Sequence, residues 1–223
     1  MSETFSVADK VVVITGAGQG IGRSFAKAFA SAGARVVIAE RNMEKARAVE
    51  GEITSGNGHA LATETDVADE GSVNRMAATV DAALGRADVL INNAAIFSTL
   101  EMRPFDQIPV PEWEQVLRVN VTGPFLCARA MLPLMRKNKW GRIINMASGA
   151  VTLGRPNYLH YIASKAALAG MTHSMARELG PEGITVNAIL PGDLHGNRPQ
   201  DRHARTETAH HRHAEHPTAA GAG

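Results

Sequence analysis

The chain has 223 residues, enough for one sizeable core and too few for two comfortable domains. Hydrophobic residues make up 44%, charged residues 20%, and the formal net charge is +1, which argues against a nucleic-acid or anionic-membrane binder. The single cysteine, Cys127, excludes an intramolecular disulfide and makes a thiolate metal site implausible; with no signal-like start and no stretch near the ~20 apolar residues of a membrane span, a cytoplasmic location is expected.

Short β-branched runs alternate with helical patterns. Lys10 to Thr15 reads as a first strand and Ile21 to Ala32 as a helix. Arg35 to Glu40 is a second strand, and Asn42 is placed to cap a helix through about Gly51. His59–Glu64 is a third strand, and a helix follows over Asp69–Leu84. Ala87–Ile91 is a fourth strand, and Pro111 opens a long helix. Gly141–Met146 is a fifth strand, Asn157–Leu179 is helical, and Gly183–Ala188 is a sixth strand. The alternation predicts an α/β fold of the Rossmann type. Its doubly wound parallel sheet carries helices on both faces and right-handed crossovers.

The first strand runs into Thr15-Gly-Ala-Gly-Gln-Gly-Ile-Gly22 and then a helix. Glycines there let the backbone turn sharply and approach a pyrophosphate, and the helix start supplies free N–H groups. Gly16, Gly18, Gln19, Gly20, Ile21 and Gly22 are thus the candidate phosphate-binding turn of a dinucleotide site. Glu40, ending the second strand, suits the adenosine ribose hydroxyls and favours NAD over NADP. Arg41 beside it would instead suit a 2′-phosphate, and a solvated strand-end charge is the plain alternative for Glu40. Asp66 and Val67 end the third strand, suited to an adenine amino group and ring. Asn92-Asn93-Ala94-Ala95 ends the fourth, where small residues admit a cofactor close to backbone. Taken singly, these are ordinary loop residues.

Tyr161 and Lys165 lie one helical turn apart, hence on one face. A tyrosine with its ordinary pKa of about 10 is a poor base at neutral pH, and a neighbouring ammonium lowers that value. Tyr161 then exchanges a proton with an alcohol or ketone, Ser148 after the fifth strand holds the reacting oxygen, and a nicotinamide carries the hydride. Asn120 precedes Pro124 by four residues. Pro124 has no N–H, so the Asn120 carbonyl loses its helical partner in a kinked helix and is free to hold a relay water toward Lys165. Each residue has a bland alternative, a solvated helix face or a turn cap. Leu153, Tyr158 and His160 are candidate pocket-lining residues.

In this order the motifs resemble the short-chain dehydrogenase/reductase family over about residues 8–193. The matches are Thr15–Gly22, Asp66, Asn92–Ala95, Asn120, Ser148, Tyr161, Lys165 and Pro191-Gly192, with Ala95 where the family usually has glycine. The resemblance implies an NAD(P)-dependent oxidoreductase acting on a secondary alcohol or ketone, closest to bacterial secondary-alcohol and 3-oxoacyl reductases. It implies a tetrad of Asn120, Ser148, Tyr161 and Lys165, with Lys165 also on the nicotinamide ribose. It further implies cofactor contacts from Ile21, Asn93, Ala94, Ala95, Pro191 and Gly192, and an adenine-side position for Val119. The expected partner is a small alcohol or ketone, with neither nucleic acid nor membrane.

After Leu194 no large apolar residue occurs. The expected division is an oxidoreductase domain over 1–193 and a disordered His/Arg/Ala-rich tail over 194–223. Where the family continues with substrate-covering helices and a last strand, a polar tail stands, with Gly196 at a position usually threonine. That departure suggests truncation or a shifted frame, and it leaves tetramer formation through the absent strand in doubt. The alternative function is an impaired nucleotide-binding remnant, truncated after Gly192. His203, His210, His211, His213 and His216 read as tail composition, and no metal site is expected.

Overall fold

A computed structural model describes residues 6–192. The expectations for the polar tail and the absent last strand lie outside these residues. Six strands form one parallel sheet in the order β3-β2-β1-β4-β5-β6. They are β1 (Val11–Thr15), β2 (Arg35–Glu40), β3 (His59–Glu64), β4 (Val89–Asn92), β5 (Gly141–Met146) and β6 (Ile184–Ile189). The helices are α1 (Gly20–Ser31), α2 (Met43–Ser55), α3 (Glu70–Leu84), α4 (Val110–Leu117), α5 (Gly123–Lys137), α6 (Ala150–Leu153) and α7 (Leu159–Leu179).

The period of two along β1 divides the core. Val12 and Ile14 face α1 and α2, packing with Ala26, Ala46, Val49 and Ile53. Val11 and Val13 face the other layer, with Met76 and Val80 of α3 and Met131 and Met135 of α5. Strands buried on both faces explain the unbroken apolar runs. Among the described residues, no helix is long and apolar enough to cross a membrane.

Three boundaries depart from expectation for physical reasons. The second helix runs through Gly51 to Ser55, because Ala46, Val49 and Ile53 keep burying one face. The fourth strand begins at Val89 rather than Ala87, since the buried Asp88 turns its carboxylate to accept from the Val11 N–H at 2.8 Å. The helix opened by Val110 and Pro111 ends at Leu117, and residues Arg118–Thr122 form a π-helical turn in which the Gly123 N–H donates to the Arg118 carbonyl. The break that Pro124 demands takes that form. The short α6 has no periodic signal in the sequence.

Candidate active site

The strand order reverses between β1 and β4, and the carboxyl ends of those strands define the crevice where ligands bind in such sheets. Around it the glycine turn is fastened by Thr15 and Asn93. The Thr15 hydroxyl accepts from the N–H groups of Asn93 and Ala94, each at 3.0 Å. The Asn93 amide donates to the carbonyls of Thr15 (2.9 Å) and Gly16 (3.1 Å). Gly16 has φ +64°, and a Cβ there would stand 2.9 Å from the Ala94 Cα. A Cβ on Gly22 would run into the Gly16 carbonyl and come within 2.6 Å of Asn93 Nδ2. Gly22→Ala is therefore expected to destabilise the fold by about 1–3 kcal/mol, read as a lower thermal midpoint. An unchanged melt would mean that the turn yields without cost.

Gln19, Gly20 and Ile21 are exposed at the start of α1, whose N-cap makes no side-chain hydrogen bond. The helix thus presents its first N–H groups and the positive end of its dipole to the crevice, which fits a pyrophosphate. The Glu40 carboxylate accepts from the Gly18 N–H and the Asn42 N–H, both at 3.1 Å. It sits against the glycine turn rather than pointing into bulk water. Arg41 is exposed. Asp66 Oδ1 accepts from Ala68 N–H at 2.9 Å, so part of that side chain does serve its own loop. Val67 is buried against Gly123, and Val119 packs half-buried on the same core. Ala95 is exposed beside the crevice, and Gly149 N–H donates to the Pro191 carbonyl at 3.0 Å, so Pro191-Gly192 lies beside the end of β5.

The four residues singled out for chemistry are all buried: Asn120, Ser148, Tyr161 and Lys165. Burial raises the Tyr161 phenol above its ordinary value. A hydrogen bond with Ser148 draws it back, and the nearby Tyr158 raises it further. Lys165 Nζ donates to the Met146 carbonyl at 2.6 Å and lies 5.8 Å from the Tyr161 ring centroid. Burial lowers its pKa to about 8. The acidifying effect of Lys165 on Tyr161 expected from the sequence is thus not among the causes acting on the phenol here. The ammonium is directed to the end of β5.

Asn120 is central to a set of bonds that its sequence position did not show. Its Oδ1 accepts from Ile96 N–H at 2.8 Å, and its Nδ2 donates to the Ile96 carbonyl and to Ser164 Oγ, both at 3.1 Å. Ser164 Oγ in turn donates to the Tyr161 carbonyl at 2.7 Å. Asn120 therefore ties the loop after β4 to the helix of Tyr161 through its side chain, whereas the sequence argument used its carbonyl.

Of the proposed pocket residues, Leu153 is strongly exposed and Tyr158 is buried with its ring 5.7 Å from Tyr161. His160 is fully buried, and its Nε2 lies 3.1 Å from Glu112 Oε1, so it faces α4 and does not line a pocket. Sequence reasoning missed Phe97, whose ring lies 4.8 Å from Tyr161 and is partly exposed. It also missed the buried chain in which Asn92 Nδ2 donates to Asn145 Oδ1 (2.9 Å) and Asn145 Nδ2 to Thr172 Oγ1 (2.9 Å). A polar residue inside an apolar strand, such as Asn145 in β5, was the available signal.

The family model for short chain dehydrogenases matches residues 10–206. A 3-oxoacyl-(acyl-carrier-protein) reductase from Synechocystis is 40% identical over 185 residues, 82% of this chain and 73% of its own length. The (2S)-((R)-hydroxy(phenyl)methyl)succinyl-CoA dehydrogenase subunit BbsD of Thauera aromatica is 37% identical over 189 residues, 85% of this chain and 75% of its own. Among solved structures, a 3-ketoacyl-(acyl-carrier-protein) reductase from Brucella melitensis complexed with NADH superposes with a TM-score of 0.79 at 34% identity, covering 84% of this chain and 77% of that one. With the six-stranded parallel sheet and the match over most of its length, the chain belongs to the short-chain dehydrogenase/reductase family, and it is an NAD(P)-dependent oxidoreductase of CH–OH and keto groups.

Proposed function

We propose that the chain reduces a 3-oxoacyl group to the 3-hydroxyacyl form, with NADH as the preferred donor. The observation that carries the site assignment is the burial together of Asn120, Ser148, Tyr161 and Lys165, with Lys165 Nζ bonded to the Met146 carbonyl two residues before Ser148. The nicotinamide, when bound, supplies the hydride. Ser148 Oγ holds the carbonyl oxygen, and Tyr161 gives its phenolic proton to that oxygen as charge develops on it. Lys165 keeps its ammonium 5.8 Å from the Tyr161 ring, bonded to the Met146 carbonyl, and would bind the nicotinamide ribose. Asn120 orders the loop after β4 and, through Ser164, the backbone of Tyr161. The relatives named for 3-oxoacyl and acyl-CoA substrates support the substrate class.

Gly16, Gly18, Gln19, Gly20, Ile21 and Gly22 would hold the pyrophosphate, and Asp66 with Val67 the adenine. Asn93, Ala94, Ala95, Pro191 and Gly192 would hold the nicotinamide side. The preference for NADH rests on Glu40. A carboxylate held against Gly18 and Asn42 accepts from ribose hydroxyls and repels a 2′-phosphate, and like charges in contact cost several kcal/mol. Glu40→Gln keeps an acceptor for Gly18 and removes the charge, leaving Arg41 free to meet a phosphate. The ratio of NADPH to NADH affinity is expected to rise about tenfold or more. Fluorescence titration with each cofactor reads it, and an unchanged ratio would remove Glu40 from this role.

The overall reading is tested by NADH consumption with acetoacetyl-CoA and a panel of simple ketones. Saturable turnover on the 3-oxoacyl thioester above the simple ketones is the expected result. Turnover confined to simple ketones would overturn the substrate class and leave the oxidoreductase in place.

A further inference from the structure

The first turn of α7 carries Tyr161 and has no side chain to cap it. Tyr158 stands at the N-cap without a side-chain hydrogen bond, and the turn contains no acidic residue. The free N–H groups of a helix start usually need such partners, and an uncapped end frays. Tyr161 is only the third residue of this helix, so the position of its hydroxyl depends on how the turn is held.

The segment between β4 and α4, with α4 itself, holds it. Arg103 N–H donates to the carbonyl of Asn157 at 3.0 Å, just before the helix. The Tyr158 hydroxyl reaches the carbonyls of Leu100 at 3.4 Å and Phe97 at 3.5 Å, both long contacts. Inside the helix, His160 Nε2 lies 3.1 Å from Glu112 Oε1. An ionised carboxylate only accepts, so Nε2 carries the proton and donates. Arg103 closes the arrangement, 3.5 Å from the other Glu112 oxygen and 2.9 Å from Glu101. Tyr158 lies edge-on to the imidazole at 6.0 Å.

This arrangement is expensive for mere packing. His160 Nδ1 and Arg103 Nε are buried without a hydrogen-bond partner among the described residues. A leucine would fill the space of His160 with no polar atom to satisfy. What the imidazole adds is direction: one short polar bond between α4 and the turn that carries the phenol.

We propose that His160 is a positioning residue, whose hydrogen bond to Glu112 fixes the first turn of α7 and with it the place of the Tyr161 hydroxyl. Its consequence for turnover rests on the proposed role of Tyr161. Its consequence for geometry does not.

The test compares wild type with His160→Leu, His160→Gln and Glu112→Ala in the full chain. Glutamine places an amide N–H close to where Nε2 stands, and Glu112 is partly exposed, so its truncation breaks the same bond at a tolerant site. The protein has two tyrosines, so isotope-labelled tyrosine Cζ resonances give two signals, assigned with Tyr158→Phe. In His160→Leu and Glu112→Ala, the Tyr161 titration midpoint is expected to shift away from its wild-type position, because both the burial of the phenol and its contact with Ser148 change. With it, kcat is expected to fall about tenfold or more at little changed NADH affinity, as for a misplacement of reacting groups. His160→Gln is expected to restore both.

A Tyr161 titration identical to wild type in Glu112→Ala would overturn the proposal whatever the activity, and would do so even if His160→Leu failed to fold. Failure of His160→Gln to restore what His160→Leu loses would equally overturn it, since the hydrogen bond would then not be the operative feature. A moved titration with unchanged turnover would leave the positioning intact and remove Tyr161 from its proposed chemistry.

Discussion

Tyr161→Phe is expected to lower kcat about 10²–10⁴-fold, the usual loss when a positioned acid–base group is removed. NADH affinity should stay close to wild type. The substitution deletes one oxygen and keeps the ring, so the contacts with Phe97 at 4.8 Å and Tyr158 at 5.7 Å persist. The phenol is buried against apolar neighbours, where water substitutes poorly as a proton donor. Steady-state kinetics beside a fluorescence titration of NADH separate the two quantities. Unchanged turnover would remove Tyr161 from the chemistry, and equal losses in turnover and cofactor binding would point to a collapsed site.

Lys165→Met is expected to abolish most turnover and yet raise stability at neutral pH. Burial lowers the Lys165 pKa from 10.5 to about 8. Below pH 8 the ammonium is charged in both folded and unfolded chains, and the folded chain bears the cost of burying it. Between about 8 and 10.5 the unfolded chain binds the proton that the folded chain has released, so stability rises with pH through that window. The full shift corresponds to about 3 kcal/mol at neutral pH. Methionine removes that cost and gives up a charge-assisted hydrogen bond to the Met146 carbonyl, about 2 kcal/mol, for a net gain on the order of 1 kcal/mol. Denaturant unfolding at pH 7 and at pH 10 checks the sign. The advantage of the variant should shrink at the higher pH. An advantage that does not depend on pH would mean that the charge of Lys165 is not what the fold resists. A buried group kept at a cost to stability is a mark of function.

The sheet was legible because each strand is buried on both faces, so apolar runs such as Val11–Thr15 have no solvent side to interrupt them. The glycine turn was legible because its requirements are local. Gly16 needs a positive φ and Gly22 a missing Cβ, and only glycine meets both. The partners of Asn120 were not legible, since Ile96 and Ser164 lie 24 and 44 residues away and no spacing rule joins them. The same holds for His160 and Glu112, separated by 48 residues. A histidine beside a tyrosine on a helix reads as pocket lining until the facing helix shows which way it turns. Lys165 was placed on the correct helical face, but the carbonyl it would find at the end of β5 depends on how α7 packs on the sheet.

The π-helical turn at Arg118–Thr122 has a consequence for insertions and deletions. A wider turn holds one residue more than an α-helical turn spans, and each residue advances a helix by about 100°. Loss of a single residue between 118 and 122 would remove the extra residue that the wide turn absorbs, while Pro124, with no N–H to give, would still bar one regular helix through that point. The helices on either side would keep their facing, and the change would fall on the turn itself. Asn120, inside the turn, would leave Ile96 and Ser164, while Leu126, Cys127 and Met131 would keep their place in the core. The turn and the helix after it thus serve different tasks, one the crevice and the other the sheet.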